Sequence, residues 1–224
     1  MTCMNIKSAV WNSLSITELQ KIDAQKSCHV LKKGSIFLQE GSYPLGVYCI
    51  KSGKVKIYKH GDGRDQIIKI VGAGELLGYK ALLAEESYPV SAEALEDLHL
   101  CFIPKAVFLE TLYSSTSFSQ KILKMACKEL EVMTSNITNM AQKTVRERAA
   151  ATLLLLNQTY GSEGMEVGSS QINLRREDIA SIVGTATETL IRLLADFKQE
   201  KLIHIEGRKV IVQNVNGLKK VAGL

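Results

Sequence analysis

The sequence predicts an α+β chain: a β-rich N-terminal domain, a long central helix and a helical C-terminal domain. Three observations predict it. From Val30 to Ile103 short apolar stretches alternate with glycine-bearing turns, the pattern of an antiparallel sandwich or barrel. From Leu123 to Met140 apolar residues recur in heptads with no glycine or proline. From Leu174 the run "LRREDIASIVGTATETLIRLLADFKQEKLI" reads as two short helices about a glycine turn, followed by a hairpin-like "LIHIEGRKVIV". The 224 residues divide accordingly into 1–115, 116–144 and 145–224.

In the first part, Val55, Ile57 and the "QIIKIV" run have strand character, and "KHGDGRD" between them is a hairpin turn signal. Next comes "GAGELLGYKALLAEESYPVSAEAL", Gly72 to Leu95, which combines glycines, a lone acid and a helix-like run. That is the composition of a ligand cradle.

In the central helix, Leu123, Leu130 and Ile137 share one heptad position and Ala126, Met133 and Met140 the other. Ser117 with Gln120 reads as a capping box that starts it. A helix packed on its own domain would also be apolar on one side. The regularity of this seam instead predicts a homodimer whose partner supplies the matching helix. After Thr144 the heptad breaks into a second helix, "VRERAAATLLLLNQTYG", ended by Gly161 and a polar loop.

In the third part, Ile179, Ala180 and Ile182–Val183 form the apolar face of one short helix, and Gly184 permits the turn. Thr187 to Glu200 forms the next, with Leu190, Leu193, Leu194 and Phe197 inward. Its outer side carries Thr187 or Glu188, then Ile191, Arg192 and Ala195. In a major groove Arg192 would donate both forks to guanine and Glu188 would accept from cytosine, while Arg176 suits a phosphate. Thr185 and Glu188 also fit a capping box, and Glu188 with Arg192 an i,i+4 ion pair, so these two admit a purely local reading.

Charge agrees with an anionic partner. The net charge is 28 − 23 = +5, and of seven arginines only Arg64 precedes residue 146. Arginine forks match phosphate and guanine edges. The cysteines Cys3, Cys28, Cys49, Cys101 and Cys127 show no CxxC spacing, and His29, His60, His99 and His204 are scattered. Mostly buried, inert thiols and no metal or other cofactor are expected. No apolar run is long enough for a membrane helix and no signal-peptide layout is present, so the expectation is a cytoplasmic protein.

Over almost its whole length the sequence resembles the Crp/Fnr family of bacterial transcription regulators. The resemblance is carried by "KSGKVKIY", "GAGELLG", "SAEALED", the long helix and "REDIASIVGTATETLIRLL". It implies a double-stranded β-helix (jelly-roll) sensor of the cyclic-nucleotide-binding type, a dimerisation helix and a winged helix-turn-helix. It also implies a homodimer on an inverted-repeat double-stranded DNA operator, in contact with RNA polymerase and with no catalytic site. Glu188 and Arg192 fall on the family's base-reading pair in E-T-x-x-R. Thr187 stands where the cyclic-AMP branch has arginine, and Ile191 departs from the serine of Fnr.

The same resemblance places an effector pocket at Gly74, Glu75, Leu76, Val90 and Ser91, with Met133 and Thr134 on the adenine-contacting positions. Val90 stands where the family's phosphate-binding arginine would be. Lys69 or Lys80 would substitute only if its side chain reaches in. A buried phosphate without its cation is costly, so the expected effector is unknown and not a cyclic nucleotide. Of the N-terminal cysteine cluster that an Fnr iron–sulfur centre needs, Cys3 alone is present. Two other classes are weaker: a cyclic-nucleotide-type regulatory subunit acting on a protein partner has no use for a winged helix. An enzyme on a cupin-like barrel would need a His-x-His motif that the chain lacks.

Overall fold

The computed structural model describes residues 10–61, 63–161 and 170–224. The chain divides into two compact units, residues 1–62 with 68–132, and 63–67 with 133–224. The expected bounds at 115 and 144 isolated the long helix. Instead the division falls inside that helix, because its first half is rooted in the N-terminal core.

The first unit opens with a single 3-10 turn, Trp11–Ser13, and helix α1 (Ile16–Gln25). Ser15 caps α1 in a true capping box: its hydroxyl accepts from Glu18 N–H while Glu18 accepts from Ser15 N–H. Eight strands follow: β1 (Ser27–Leu31), β2 (Ile36–Leu38), β3 (Gly46–Ser52), β4 (Val55–His60), β5 (Asp65–Val71), β6 (Leu76–Leu77), β7 (Ser91–Ala94) and β8 (Leu98–Pro104). They form two four-stranded sheets in the orders β1-β8-β3-β6 and β2-β7-β4-β5. Two facing antiparallel sheets of this kind are the jelly roll that the glycine-punctuated strands predicted.

Alternation along the strands sorts two cores. On β8, Leu98 and Leu100 point between the sheets, while Cys101 and Ile103 point to the helix-covered face. That second face packs on Trp11, α1, α3 (Lys105–Ser114) and the start of α4 (Thr116–Gln142), with Phe108, Phe118 and Ile122 buried in it. Among the described residues, the short helix α2 (Tyr79–Ala84) alone interrupts the strands, starting after Gly78 at a φ of 87°.

Two readings of local chemistry are corrected. Ser117 does not cap α4, which begins at Thr116; its hydroxyl donates to Ser13 O at 2.6 Å. The inert-thiol expectation fails for two cysteines, since Cys28 and Cys101 form a disulfide. They lie 73 residues apart, but β1 and β8 pair antiparallel with Cys28 directly opposite Cys101, so their Cα atoms are 4.0 Å apart. Among the described residues, Cys49, which faces Cys101 from β3, and the exposed Cys127 remain free thiols. Burial pushes the Cys49 thiol up and keeps it protonated. Cys3 lies outside the described residues.

The second unit holds the end of α4, α5 (Val145–Gly161), β9 (Gln171–Ile172), α6 (Arg176–Val183), α7 (Thr187–Gln199), β10 (Ile203–Glu206), β11 (Lys209–Val212) and α8 (Val215–Ala222). The wing hairpin β10–β11 is widened by β9 into a three-stranded sheet. The polar loop 162–169 lies outside the described residues. Helix α8, with Leu218 and Ala222 buried and Asn214 capping Gly217 N–H, was not foreseen.

A candidate nucleic-acid interface and the jelly-roll interior

Helix α6 buries Ile179, Ala180 and Val183, and α7 buries Leu190, Leu194 and Phe197. Between them Gly184 takes a left-handed conformation (φ 72°), and Thr185 N–H reaches back to Ala180 O. This is a Schellman-type stop, which requires a residue tolerant of positive φ. The turn is held from outside as well: Arg148 of α5 donates to Val183 O (3.0 Å), Gly184 O (3.3 Å) and Lys143 O (2.8 Å). These are carbonyls at or beyond helix ends, which have no partner within their own helix.

With its apolar side fixed, α7 presents Glu188, Ile191, Arg192 and Ala195 to solvent and Thr187 half-buried at its start. Ile191, a large apolar side chain, is 51% exposed. The local alternatives for Glu188 and Arg192 do not form. Ala186 occupies the N-cap with no side-chain cap bond, so the Thr185–Glu188 box is absent, and the described residues show no ion pair between Glu188 and Arg192. Both side chains are left on the open face.

The other arginines are largely engaged in holding the unit together. Arg146 pairs with Glu200 at 2.6 Å and lies over the Phe197 ring at 4.9 Å. Arg175 chelates Asp178 at 2.9 and 3.1 Å. Arg176 donates to Arg208 O (3.0 Å) and Gly207 O (3.4 Å) at the wing turn, and burial with the nearby Arg208 charge lowers its pKa. Arg175, Arg176 and Arg208 thus line one basic cleft of about 410 Å³ between the start of α6 and the wing. The C-terminal arginine excess, read from sequence as one anion-binding signature, is therefore divided between architecture and surface.

On the central helix, Leu123 (64%), Leu130 (66%), Ile137 (71%), Met133 (42%) and Met140 (48%) are all exposed in the single chain. Ala126 differs: it packs with Met125 on the core of the first unit. A contiguous apolar stripe of this kind marks an interaction surface.

The residues assigned to an effector pocket differ in burial and partners. Gly74 and Glu75 lie in the turn before β6, and Leu76 is 2% exposed within the helix-side core. The turn into the short helix is made by Gly78 and Tyr79, four residues later. Ser91 is fully buried and accepts from Glu40 N–H at 3.0 Å, which ties β7 to the 39–45 loop. Val90 is half-buried, and Met133 and Thr134 are exposed and belong to the second unit.

Sequence reading missed Glu129 of α4. Its carboxylate receives Lys80 Nζ at 2.8 Å, Tyr79 Oη at 3.1 Å and Lys69 Nζ at 3.3 Å, and Lys69 also reaches Glu75 at 3.3 Å. Burial works to raise the Glu129 pKa, but the hydrogen bond and charge of Lys80, then Lys69 and Tyr79, bring it below the usual carboxylate value. Lys69 and Lys80 are thus balanced by two of the protein's own acids, Glu129 and Glu75.

Residues 28–115 match the model of the cyclic nucleotide-binding domain, and residues 147–221 that of the Crp-like helix-turn-helix domain. The chain belongs to the Crp/Fnr family. It is 28% identical over 213 residues to the transcriptional activator protein Anr of Pseudomonas protegens, covering 94% of this chain and 87% of that one. The anaerobic regulatory protein of Haemophilus influenzae is 26% identical over 213 residues, covering 95% and 82%. Among solved structures, FixK2 of Bradyrhizobium japonicum superposes with a TM-score of 0.75 at 22% identity, over 88% of this chain and 96% of that one. A Crp/Fnr-family transcriptional regulator of Thermus thermophilus gives 0.70 at 21% identity, over 88% and 99%. At such identities the structures speak for the fold. No helix among the described residues is long and apolar enough to cross a membrane, and no cluster of possible metal ligands occurs among them.

Proposed function

We propose that this Crp/Fnr regulator binds DNA as a homodimer, placing α7 of each protomer in successive major grooves of an inverted repeat. The observation that carries this reading is the open face of α7, where Glu188, Ile191 and Arg192 are exposed and unpaired on a helix locked from behind. Arg192 is the guanine reader, Glu188 the cytosine acceptor, and the cleft of Arg175, Arg176 and Arg208 takes a phosphate. Pairing through the α4 stripe sets the two α7 helices one turn of DNA apart. The reading includes action in the cytoplasm by binding alone, without catalysis, in contact with RNA polymerase. It also includes an effector other than a cyclic nucleotide, which is supported by Val90 at the cation position and by Glu129 on both lysines.

The test is Arg192→Ala on an operator obtained by selection from random duplexes. Its specific affinity falls by about 1–3 kcal/mol and its preference at one base pair relaxes, while sequence-independent binding is kept. An unchanged base preference would overturn the assignment of α7.

A further inference from the structure

The jelly roll carries an open-mouthed cavity, rimmed by the exposed Tyr43 and Leu45, that shares no residue with the assigned effector pocket. It measures about 470 Å³ and opens at the end of the β-sandwich beside the 39–45 loop. Its walls come from the inner faces of β1, β3 and β8, from β2, and from the segment before β7. That volume lies within the roughly 300–1,000 Å³ of small-molecule sites.

The chemistry of the wall is uniform. Five rings line it: Phe37, Tyr43, Tyr48, Tyr88 and Phe102. Three leucines complete the apolar surface, and the polar atoms come from Ser42, His29 and the tyrosine hydroxyls. No lysine, arginine, aspartate or glutamate is among the lining residues. Such a wall offers a few hydroxyl donors but no lysine or arginine to offset the desolvation of a phosphate or carboxylate.

The rings form a built arrangement. Phe37 meets Tyr48 edge-on at 5.2 Å, and Tyr48 tilts against Phe102 at 5.2 Å. Gly46 makes room for this: a Cβ there would lie 2.6 Å from the Phe102 ring and 2.2 Å from Ile103 O. Tyr88 Oη donates to Gly46 O at 3.4 Å, and burial together with Tyr48 pushes its pKa up to about 12. Burial likewise raises the Tyr48 pKa, so its phenol keeps its proton. Among the described residues the Tyr48 hydroxyl makes no hydrogen bond, yet it is not sealed in the protein, so its donor is available at the cavity.

We infer that this cavity binds a neutral, flat aromatic molecule of one or two rings that carries one hydrogen-bond acceptor for the Tyr48 hydroxyl. The rings of Phe37 and Phe102 supply apolar contact on two sides, and Tyr48 reads the acceptor. The inference does not depend on α7 or on dimer formation, and its test contains no DNA.

The probes are quinoline, which has a ring-nitrogen acceptor, and naphthalene, which has the same shape and none. Both are titrated into the full chain at pH 8 by calorimetry and ligand-observed NMR. Quinoline binds saturably, one per protomer, and more tightly than naphthalene. Tyr48→Phe keeps the ring contacts, weakens quinoline by roughly 3- to 10-fold, the worth of one hydrogen bond, and leaves naphthalene unchanged. Leu31→Trp, which fills the cavity from its half-buried wall, removes both, with far-UV circular dichroism confirming that the variant is folded. Absence of saturable binding would overturn the site. Binding that survives in folded Leu31→Trp would place it elsewhere, and equal weakening of both probes by Tyr48→Phe would overturn the donor role.

Discussion

Truncation of Arg148 isolates what holds the helix-turn-helix in shape. Its guanidinium bridges the segment after α4 to the α6–α7 turn through three carbonyls at 2.8, 3.0 and 3.3 Å. A hydrogen bond from a charged donor is worth roughly 1.5–3 kcal/mol when buried, and Arg148 is half-exposed, so the lower end applies to the two short bonds. The long one adds little. Arg148→Ala is therefore expected to destabilise the second unit by about 2–4 kcal/mol, and Arg148→Lys, which reaches one carbonyl, to recover part of that. Urea unfolding followed by far-UV circular dichroism reads the helices of both units. The single tryptophan, Trp11, is buried in the first unit and serves as an internal control. The helical transition should move to lower urea while the Trp11 transition stays. A loss below about 0.5 kcal/mol, or equal movement of both signals, would refute the clamp.

Three further outcomes are expected. Glu129 has its pKa depressed from the ordinary carboxylate value, so its contribution is present above the unfolded value and is lost as pH falls through the folded one. Glu129→Gln should be less stable by about 1 kcal/mol at pH 7 after allowance for screening, with the difference vanishing in acid; a pH-independent difference would contradict the ion-pair network. Mass mapping after alkylation of the unreduced, unfolded chain should recover a Cys28–Cys101 linked peptide, and Cys28→Ser should lower the Trp11 transition by about 2–4 kcal/mol. Free alkylation of both would refute the bond. Leu130→Glu combined with Met133→Glu should yield monomers by sedimentation that no longer bind operator; a surviving dimer would mean that another surface pairs the chains.

What the sequence made legible is what has a period. Strand alternation and the short helices about Gly184 repeat within a few residues and have their counterparts in the structure, and the heptad run lies on one continuous helix, α4. The features that escaped depend on partners far apart in sequence. Cys28 meets Cys101 through strand register, and Glu129 meets Lys69 and Lys80 through the packing of α4 on the jelly roll. Capping motifs misled in the opposite way. Ser117 and Thr185 fit their templates, but the helix ends are set by backbone geometry around them, and the hydroxyl-to-acid spacing alone does not fix the cap. Helix α8 does space Val215, Leu218 and Ala222 along one face, but eight residues are too few for that spacing to stand out until α5 lies against it. "GAGELLG" offers two glycine turns, and the positive φ of Gly74 and Gly78 fits both, so spacing alone does not say which of them leads into the short helix.

The exposed stripe on α4 carries a consequence for how such a regulator answers to its own abundance. Where pairing must precede operator binding, occupancy at low concentration rises with the square of the protomer concentration rather than in proportion to it. Leu123, Leu130 and Ile137 then set a threshold, and every methylene removed from them moves it upward. The same side chains that would hold two copies together would thus decide how many copies a cell must make before any gene responds.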